Sequence, residues 1–270
     1  MIAKIIVFIF GSIVGSFLNV CIHRMPKGES VVWPRSHCPK CSKRIPGYDN
    51  IPFVSFLLLR GRCRFCREKI SLRYPLVELL TALLMVALFN RFGLSYGFFL
   101  YMVMLWGLII ATFVDIRHRI IPDEVSLGGM IIGFIMVSVT GFSFSPLKFT
   151  FYPMLKSALG AIAGGGIIYA TGVIFDLVYF KLLKRPAING ETESMGGGDV
   201  KLLAMIGAFM GWQLVILTFF LAPFLGILVG IINLAAKKDH TIPYGPFLSI
   251  AALVSLFWAN KIISLILPGS

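Results

Sequence analysis

Two aspartates, each at the end of an apolar run, are the residues of this sequence best placed to do chemistry. Asp115 follows the apolar run 96–114, and Asp199 follows the glycine run 196–198 and opens directly into another apolar stretch. A carboxylate at the edge of a membrane segment costs free energy, so it needs a partner or a function. Two carboxylates held close in apolar surroundings do not both ionise easily, and such a pair can activate water against an amide carbonyl. This is the chemistry of an aspartic protease.

Each aspartate also has a simpler interpretation when it is considered alone. Asp199 is suited to cap the helix that follows the glycine run, and Asp123, after a proline, is suited to cap another. Asp115 is suited to form an ion pair with Arg117 or Arg119 at the membrane surface. The residue types alone leave these interpretations open.

Four of the five cysteines form a repeated CxxC pattern. Each CxxC turn offers two thiolates to one ion, and two such turns complete a tetrahedral four-cysteine site with no open position. The pattern predicts a structural zinc site, with a redox dithiol and an iron–sulfur centre as alternatives. The predicted metal ligands are Cys38, Cys41, Cys63 and Cys66. The fifth cysteine, Cys21, has no partner at ligand spacing and is predicted to be a small buried apolar residue.

The composition predicts a protein of the membrane. Of the 270 residues, 57% are hydrophobic and 14% are charged, and the mean hydropathy is +0.88, which excludes a soluble globule with a single core. The predicted fold class is an all-α polytopic membrane protein with about eight transmembrane helices and a small zinc-binding loop domain. The helices are expected at 5–21, 75–89, 96–114, 125–139, 155–183, 200–210, 215–235 and 247–266.

One of these runs, 200–210, is too short to cross about 30 Å of hydrocarbon. It must continue past Gly211 and Trp212 or be half-inserted. Glycines at four-residue spacing, such as Gly160 and Gly164, predict close packing between helices.

The distribution of basic residues predicts the orientation in the membrane. The net charge is +13, and twelve of the 25 lysines and arginines lie between Arg24 and Arg73. Because basic loops stay in the cytoplasm, this bias is explained by topology, and nucleic-acid binding is not expected. The zinc loop and both aspartates are then cytoplasmic and both termini lie outside, with the pairs 184–185 and 237–238 also inside. Thiols in the cytoplasm stay reduced, which favours metal ligation over disulfides.

Six motifs in order carry a resemblance to a known family. The sequence resembles the type IV prepilin peptidase (prepilin leader peptidase/N-methyltransferase) family of GxGD-type intramembrane aspartic proteases. The resemblance spans nearly the whole chain. Besides the paired CxxC loop, the motifs are Gly15-Ser16-Phe17-Leu18-Asn19-Val20 with Arg24 and Pro26, Arg73-Tyr74-Pro75-Leu76-Val77-Glu78, Asp115 with Ile121-Pro122-Asp123, Gly196-Gly197-Gly198-Asp199-Val200-Lys201-Leu202, and Ile242-Pro243-Tyr244-Gly245-Pro246-Phe247.

The resemblance implies an activity and its parts. Asp115 and Asp199 are the expected catalytic pair, and the expected substrates are type IV prepilins and type II secretion pseudopilins, which lose a short basic leader at the cytoplasmic face of the inner membrane. Members with the cysteine loop also methylate the new N-terminus with S-adenosylmethionine. The implied division is a first helix at 1–23, a zinc loop at 24–74 and a membrane-embedded peptidase domain at 75–270.

Some functional assignments stay open at the level of sequence. No glycine-rich nucleotide fingerprint is present, so the S-adenosylmethionine site is unknown. Glu78, at the head of a membrane helix, is suited either to meet the new amine or the basic leader, or to pair with Arg73 or Arg24. It is therefore left out of the predicted site. Proteolysis without methylation, an ion-coupled transporter and a thiol–disulfide protein are the alternative functions.

Overall fold

The computed structural model describes residues 1–144, 147–183, 196–235 and 243–266. The basic pairs 184–185 and 237–238, which entered the predicted orientation, lie outside the described residues, as does Met195, the residue before the glycine run. Within the described ranges the chain is overwhelmingly helical, as predicted.

In the part of the chain that the structure describes, eight long helices form at the eight predicted apolar runs. A short helix in the cysteine loop and a two-stranded antiparallel hairpin, β1 (Phe142–Phe144) with β2 (Leu147–Phe149), were not predicted. The helices are α1 Ile2–Arg24, α2 Val54–Leu58, α3 Arg73–Phe92, α4 Tyr96–His118, α5 Asp123–Val139, α6 Tyr152–Asp176, α7 Gly197–Met210, α8 Trp212–Ala235 and α9 Gly245–Ile266. A π-helical segment, Leu177–Leu182, continues α6.

Six helical segments of the described residues are long and apolar enough to cross a membrane. They are Ile2–Lys27, Arg73–Phe92, Tyr96–His118, Tyr152–Tyr179, Trp212–Ile231 and Gly245–Leu265. The two other long helices are shorter, with 17 residues in α5 and 14 in α7. The protein is therefore a multi-pass helical membrane protein.

Of the two alternatives predicted for the short run at 200–210, continuation of the helix past Gly211 is wrong. Gly211, at φ +81°, ends α7, and the next helix begins at once with Trp212. A positive φ is a conformation that glycine adopts without strain, so the helix stops there. At 1.5 Å per residue, a helix of this length reaches only about 21 Å, which is less than the hydrocarbon thickness.

The chain forms two compact units, Met1–Val114 and Asp115–Ser270. In the first unit, α1 packs closely on α3 because glycines face the partner backbone. A Cβ added to Gly11 would lie 2.8 Å from the Cα of Ala82, and one added to Gly15 would lie 2.7 Å from the Cα of Glu78. No larger residue fits at these positions, so the contact depends on the two glycines.

In the second unit, α6 and α7 make the closest contact between two helix backbones. A Cβ at Gly160 would clash with the carbonyl oxygen of Gly207, and a Cβ at Gly207 would clash with that of Gly160. One turn further, Gly164 faces the carbonyl group of Leu203 in the same way. The predicted packing role of Gly160 and Gly164 is confirmed, and the contact fixes the helix that begins with the glycine run.

We predict that Gly160→Ala lowers the free energy of unfolding by about 1–3 kcal/mol, because the methyl group forces the two backbones apart. The matched control is Gly166→Ala in the same helix, where an added Cβ meets nothing within 4 Å. Thermal unfolding of the purified protein in detergent measures both variants. Equal melting temperatures for the two variants would contradict the proposed role of the glycine contact.

Candidate active site and metal centre

The side chain of Asp115 is buried in the last turn of α4, where it is held by a backbone N–H group. Only 6% of the residue is exposed. The N–H of Gly245, the first residue of α9, donates a hydrogen bond of 2.8 Å to Oδ2 of Asp115. A Cβ on Gly245 would lie 2.8 Å from the same oxygen, so only glycine leaves room for this bond. Among the described residues, Asp115 forms no salt bridge with Arg117 or Arg119, although the charge of Arg119 interacts with its carboxyl group.

Asp199 lies in the first turn of α7 and is not its N-cap. The N-cap is Gly196, and Asp199 is the third residue of the helix, with its backbone N–H bonded to the carbonyl of Gly196 at 3.0 Å. The capping interpretation of Asp199 is therefore wrong. The neighbouring Gly198 packs on Ile121, because a Cβ added to Gly198 would lie 3.2 Å from the Cβ of Ile121.

The structure brings the two aspartates together. The carboxyl groups of Asp115 and Asp199 are near enough to interact electrostatically, and Asp199 also interacts with the phenol of Tyr244. The aspartates come from helices far apart in the chain, and the N-terminus of α9 lies beside them. This arrangement places two acids side by side, a buried one and a half-buried one, with a backbone donor fixed on the buried acid.

Asp123 takes part in an ion pair that the sequence analysis missed. Pro122 is the N-cap of α5, so the predicted capping role of Asp123 is wrong. Instead, Oδ1 of Asp123 accepts a hydrogen bond of 2.7 Å from Nζ of Lys201. Lys201 lies two residues after Asp199, so the pair joins the N-terminal ends of α5 and α7. Both side chains are exposed, and such a pair adds little stability.

The four predicted metal ligands form a single cluster. The sulfur atoms of Cys38, Cys41, Cys63 and Cys66 all lie within 4.8 Å of one another, and those of Cys38 and Cys66 are 3.8 Å apart. A tetrahedral ion with Zn–S bonds of about 2.3 Å holds its sulfur ligands about 3.8 Å apart. The donor set and its spacing therefore fit a metal ion. Cys21, the fifth cysteine, is buried in α1 as predicted.

The two CxxC turns have the same backbone conformation. In the first turn, the N–H of Ser42 donates a hydrogen bond to the carbonyl of Cys38. In the second turn, the N–H of Arg67 donates one to the carbonyl of Cys63. Ser42 and Arg67 both have positive φ angles, 56° and 59°. A positive φ angle costs free energy in a residue other than glycine. The two matched turns place their four sulfur atoms around one centre.

One thiol of the cluster is prepared for ionisation. Hydrogen bonds from the backbone N–H groups of Cys66 and Phe65 lower the pKa of the Cys63 thiol to about 7. The thiolate is the form that binds metal ions, so these backbone donors favour ligation.

Glu78 has none of the ion pairs considered from sequence. Its Oε2 accepts a hydrogen bond of 3.1 Å from the N–H of Phe53. Its carboxyl group also forms a hydrogen bond with the side chain of Ser16. Arg24 instead donates to a backbone carbonyl, and Arg73 lies over the ring of the adjacent tyrosine. The expected salt bridge is therefore absent from the ion pairs of the described residues.

Two site features were missed from the sequence. The Gly245 donor and the Lys201 ion pair both depend on helices that meet only in the folded chain. The signal for Gly245 was present, because it lies in the motif at 242–247 that carried part of the resemblance. A glycine at the start of a helix, near a buried acid, is the pattern that points to a backbone donor.

Comparison with known proteins agrees with the motifs. The model of the bacterial peptidase A24 N-terminal domain matches residues 9–92, and the model of the type IV leader peptidase family matches residues 102–231. No solved structure matches the chain.

Several named relatives are similar over nearly their whole length. Proteins named prepilin leader peptidase/N-methyltransferase from Stutzerimonas stutzeri and Aeromonas hydrophila are 35% and 34% identical. The matches cover 94% and 95% of this chain and 90% and 91% of the relatives. A protein of the same name from Pseudomonas aeruginosa is 34% identical over 94% of this chain. With both family models and full-length relatives in agreement, the chain belongs to the type IV leader peptidase family.

Proposed function

We propose that this protein removes the leader peptide from prepilins and methylates the N-terminus that the cleavage exposes. The observation that carries the proteolytic half is the meeting of Asp115 and Asp199 at the ends of two helices, with the Gly245 N–H fixed on one carboxyl group. The methylation half follows the name that the relatives share.

The proposed reaction uses the two aspartates as acid and base on one water molecule. The pair shares one proton, so one carboxylate accepts a proton from water as the water oxygen attacks the scissile carbonyl carbon. The other carboxyl group donates its proton to the carbonyl oxygen. Return of a proton to the leaving nitrogen then breaks the C–N bond. The hydrogen bond from Gly245 keeps Asp115 in place through these steps.

The proposed substrates and orientation follow from the family and from charge. Prepilins and type II secretion pseudopilins carry a short basic leader, and cleavage takes place at the cytoplasmic side of the inner membrane. The basic loop stays in the cytoplasm and both termini lie outside. In this proposal residues 1–23 form the first helix, 24–74 the metal loop and 75–270 the peptidase domain.

We further propose that the four cysteines hold a zinc ion. A closed site of four thiolates supplies no open position for substrate, so its role is to fold the loop. S-adenosylmethionine is the proposed source of the methyl group, and its binding residues are not assigned.

We predict that Asp115→Asn and Asp199→Asn each abolish prepilin cleavage, because an amide cannot exchange the proton that the pair must share. The control is Asp123→Asn, which removes only an exposed ion pair and is expected to retain most of the cleavage. Mass spectrometry of a co-expressed prepilin measures the product. Cleavage in either dyad variant would contradict the assignment, and intact precursor with the wild-type chain would favour the transporter alternative.

We predict that Cys38→Ser or Cys63→Ser releases the metal ion and impairs methylation more than proteolysis. Loss of one ligand opens the closed site and loosens the loop, whereas the dyad lies in the other compact unit. Cys21→Ala, which removes a thiol outside the cluster, is the control. Elemental analysis gives the metal content, and mass spectrometry gives both products. Full metal content in the serine variants would contradict the zinc site.

A further inference from the structure

Glu78 is a buried carboxylate without a basic partner. Only 8% of the residue is exposed, and its hydrogen bonds come from two neutral groups, the N–H of Phe53 and the side chain of Ser16. No lysine or arginine forms an ion pair with it in the part of the chain that the structure describes. Burial disfavours the charged form of a carboxyl group, so an ionised Glu78 at this place requires a cation, and that cation would come from outside the chain.

Asn19 supplies a second acceptor that has no donor. The residue is 2% exposed, and its Nδ2 donates to the backbone carbonyls of Gly15 at 3.3 Å and Tyr74 at 3.0 Å. These two hydrogen bonds determine the orientation of the Asn19 amide, because a backbone carbonyl can accept a hydrogen bond from Nδ2 but not from Oδ1. The remaining atom, Oδ1, is buried and has no hydrogen-bond partner among the described residues. An unpaired buried oxygen of this kind calls for a ligand.

Both acceptors belong to the contact between α1 and α3. The carbonyl of Gly15 accepts a hydrogen bond from Asn19. Gly15 also lies so close to α3 that a Cβ added to it would be 2.7 Å from the Cα of Glu78. Tyr74, the other partner of Asn19, lies one helical turn before Glu78, so the two residues share a face of α3. Val77, between them in sequence, is fully buried. The contact between α1 and α3 thus contains two oxygen acceptors within apolar packing.

We propose that Glu78 and Asn19 bind the N-terminal ammonium group of the cleaved substrate as the methyl acceptor. This proposal rests on the methylation half of the proposed function. A primary ammonium is compact and carries three N–H donors, which suits a carboxylate and an amide oxygen set in apolar surroundings. It is also the group that a methyltransferase acting on an N-terminus must hold.

The charge of the neighbouring loop favours this ligand over the basic leader. Phe53, whose N–H donates to Glu78, belongs to the stretch between Arg24 and Arg73. This stretch contains twelve basic residues and three acids, which are Glu29, Asp49 and Glu68. Next to Glu78, a leader with several positive charges would meet strong repulsion from these basic residues. A single α-amine on an otherwise apolar N-terminus meets far less repulsion.

Glu78 can also take the proton that must leave before methylation. Transfer of one proton from the ammonium to the Glu78 carboxylate leaves a neutral amine with a free electron pair. That pair forms the N–C bond as the C–S bond of the sulfonium methyl donor breaks, and the C–S electrons stay on sulfur. The products are a methylammonium and a neutral thioether, and Glu78 returns its proton to water.

The test compares two peptides that have the mature N-terminal sequence of a prepilin, one with a free amine and one acetylated. Binding to the full-length protein in detergent is measured by fluorescence with a label at the peptide C-terminus. The wild type should bind the free-amine peptide about ten- to 100-fold more tightly. Glu78→Gln, which keeps an oxygen for Phe53, should lose this preference, whereas the exposed Glu29→Gln should keep it.

Four outcomes would overturn the proposal. The first is equal binding of both peptides by the wild type, and the second is an undiminished preference in Glu78→Gln. The third is Glu78-dependent binding of an N-acetylated leader peptide as tight as that of the free-amine peptide. Thermal unfolding of Glu78→Gln checks the fold, and early unfolding of this variant would be the fourth contradicting outcome, because it would assign Glu78 to stability. If the wild type cleaves a prepilin without methylating it, the proposed methylation fails, whatever the peptides show.

Discussion

The hydrogen bond from Gly245 to Asp115 joins parts of the chain 130 residues apart and determines where the buried acid can lie. An acid at the end of an apolar helix is expensive unless a donor satisfies it. The N-terminus of α9 supplies that donor, and the missing side chain of Gly245 leaves space for the carboxylate. The proposed chemistry requires this bond, since a mobile Asp115 could not hold water against a peptide.

The partner of Asp115 depends on helix packing. Asp199 lies at the start of α7, and α7 is held against α6 by facing glycines whose backbones nearly touch. This contact sets the depth of a helix too short to cross the membrane alone. The ion pair between Asp123 and Lys201 adds a second tie near the same end, at the surface. Rigid packing along the helix thus positions the acid at its tip.

What the sequence could predict follows the range of the interactions involved. Long apolar runs predicted all eight long helices, and the CxxC spacing predicted the sulfur cluster, because both signals are local. The convergence of Asp115 and Asp199 was expected from topology, which places both at the same depth. The capping roles of Asp123 and Asp199 were wrong because a proline and a glycine occupy the N-cap positions. The contact of Gly245 with Asp115 is set by tertiary packing, so the motif at 242–247 marked the glycine but not the acid that it contacts.

The central claim is that both carboxyl groups act on the reacting carbonyl as a pair. The most direct measurement compares the affinities of two prepilin-derived peptides. In the first peptide, a tetrahedral carbon that carries a hydroxyl group replaces the scissile carbonyl. In the second, a CH₂ group stands at the same place. A dyad should bind the hydroxyl peptide at least about 100-fold more tightly. Asp115→Asn and Asp199→Asn should each remove that preference. Equal affinity of the wild type for both peptides, or a preference that survives in either variant, would contradict the account.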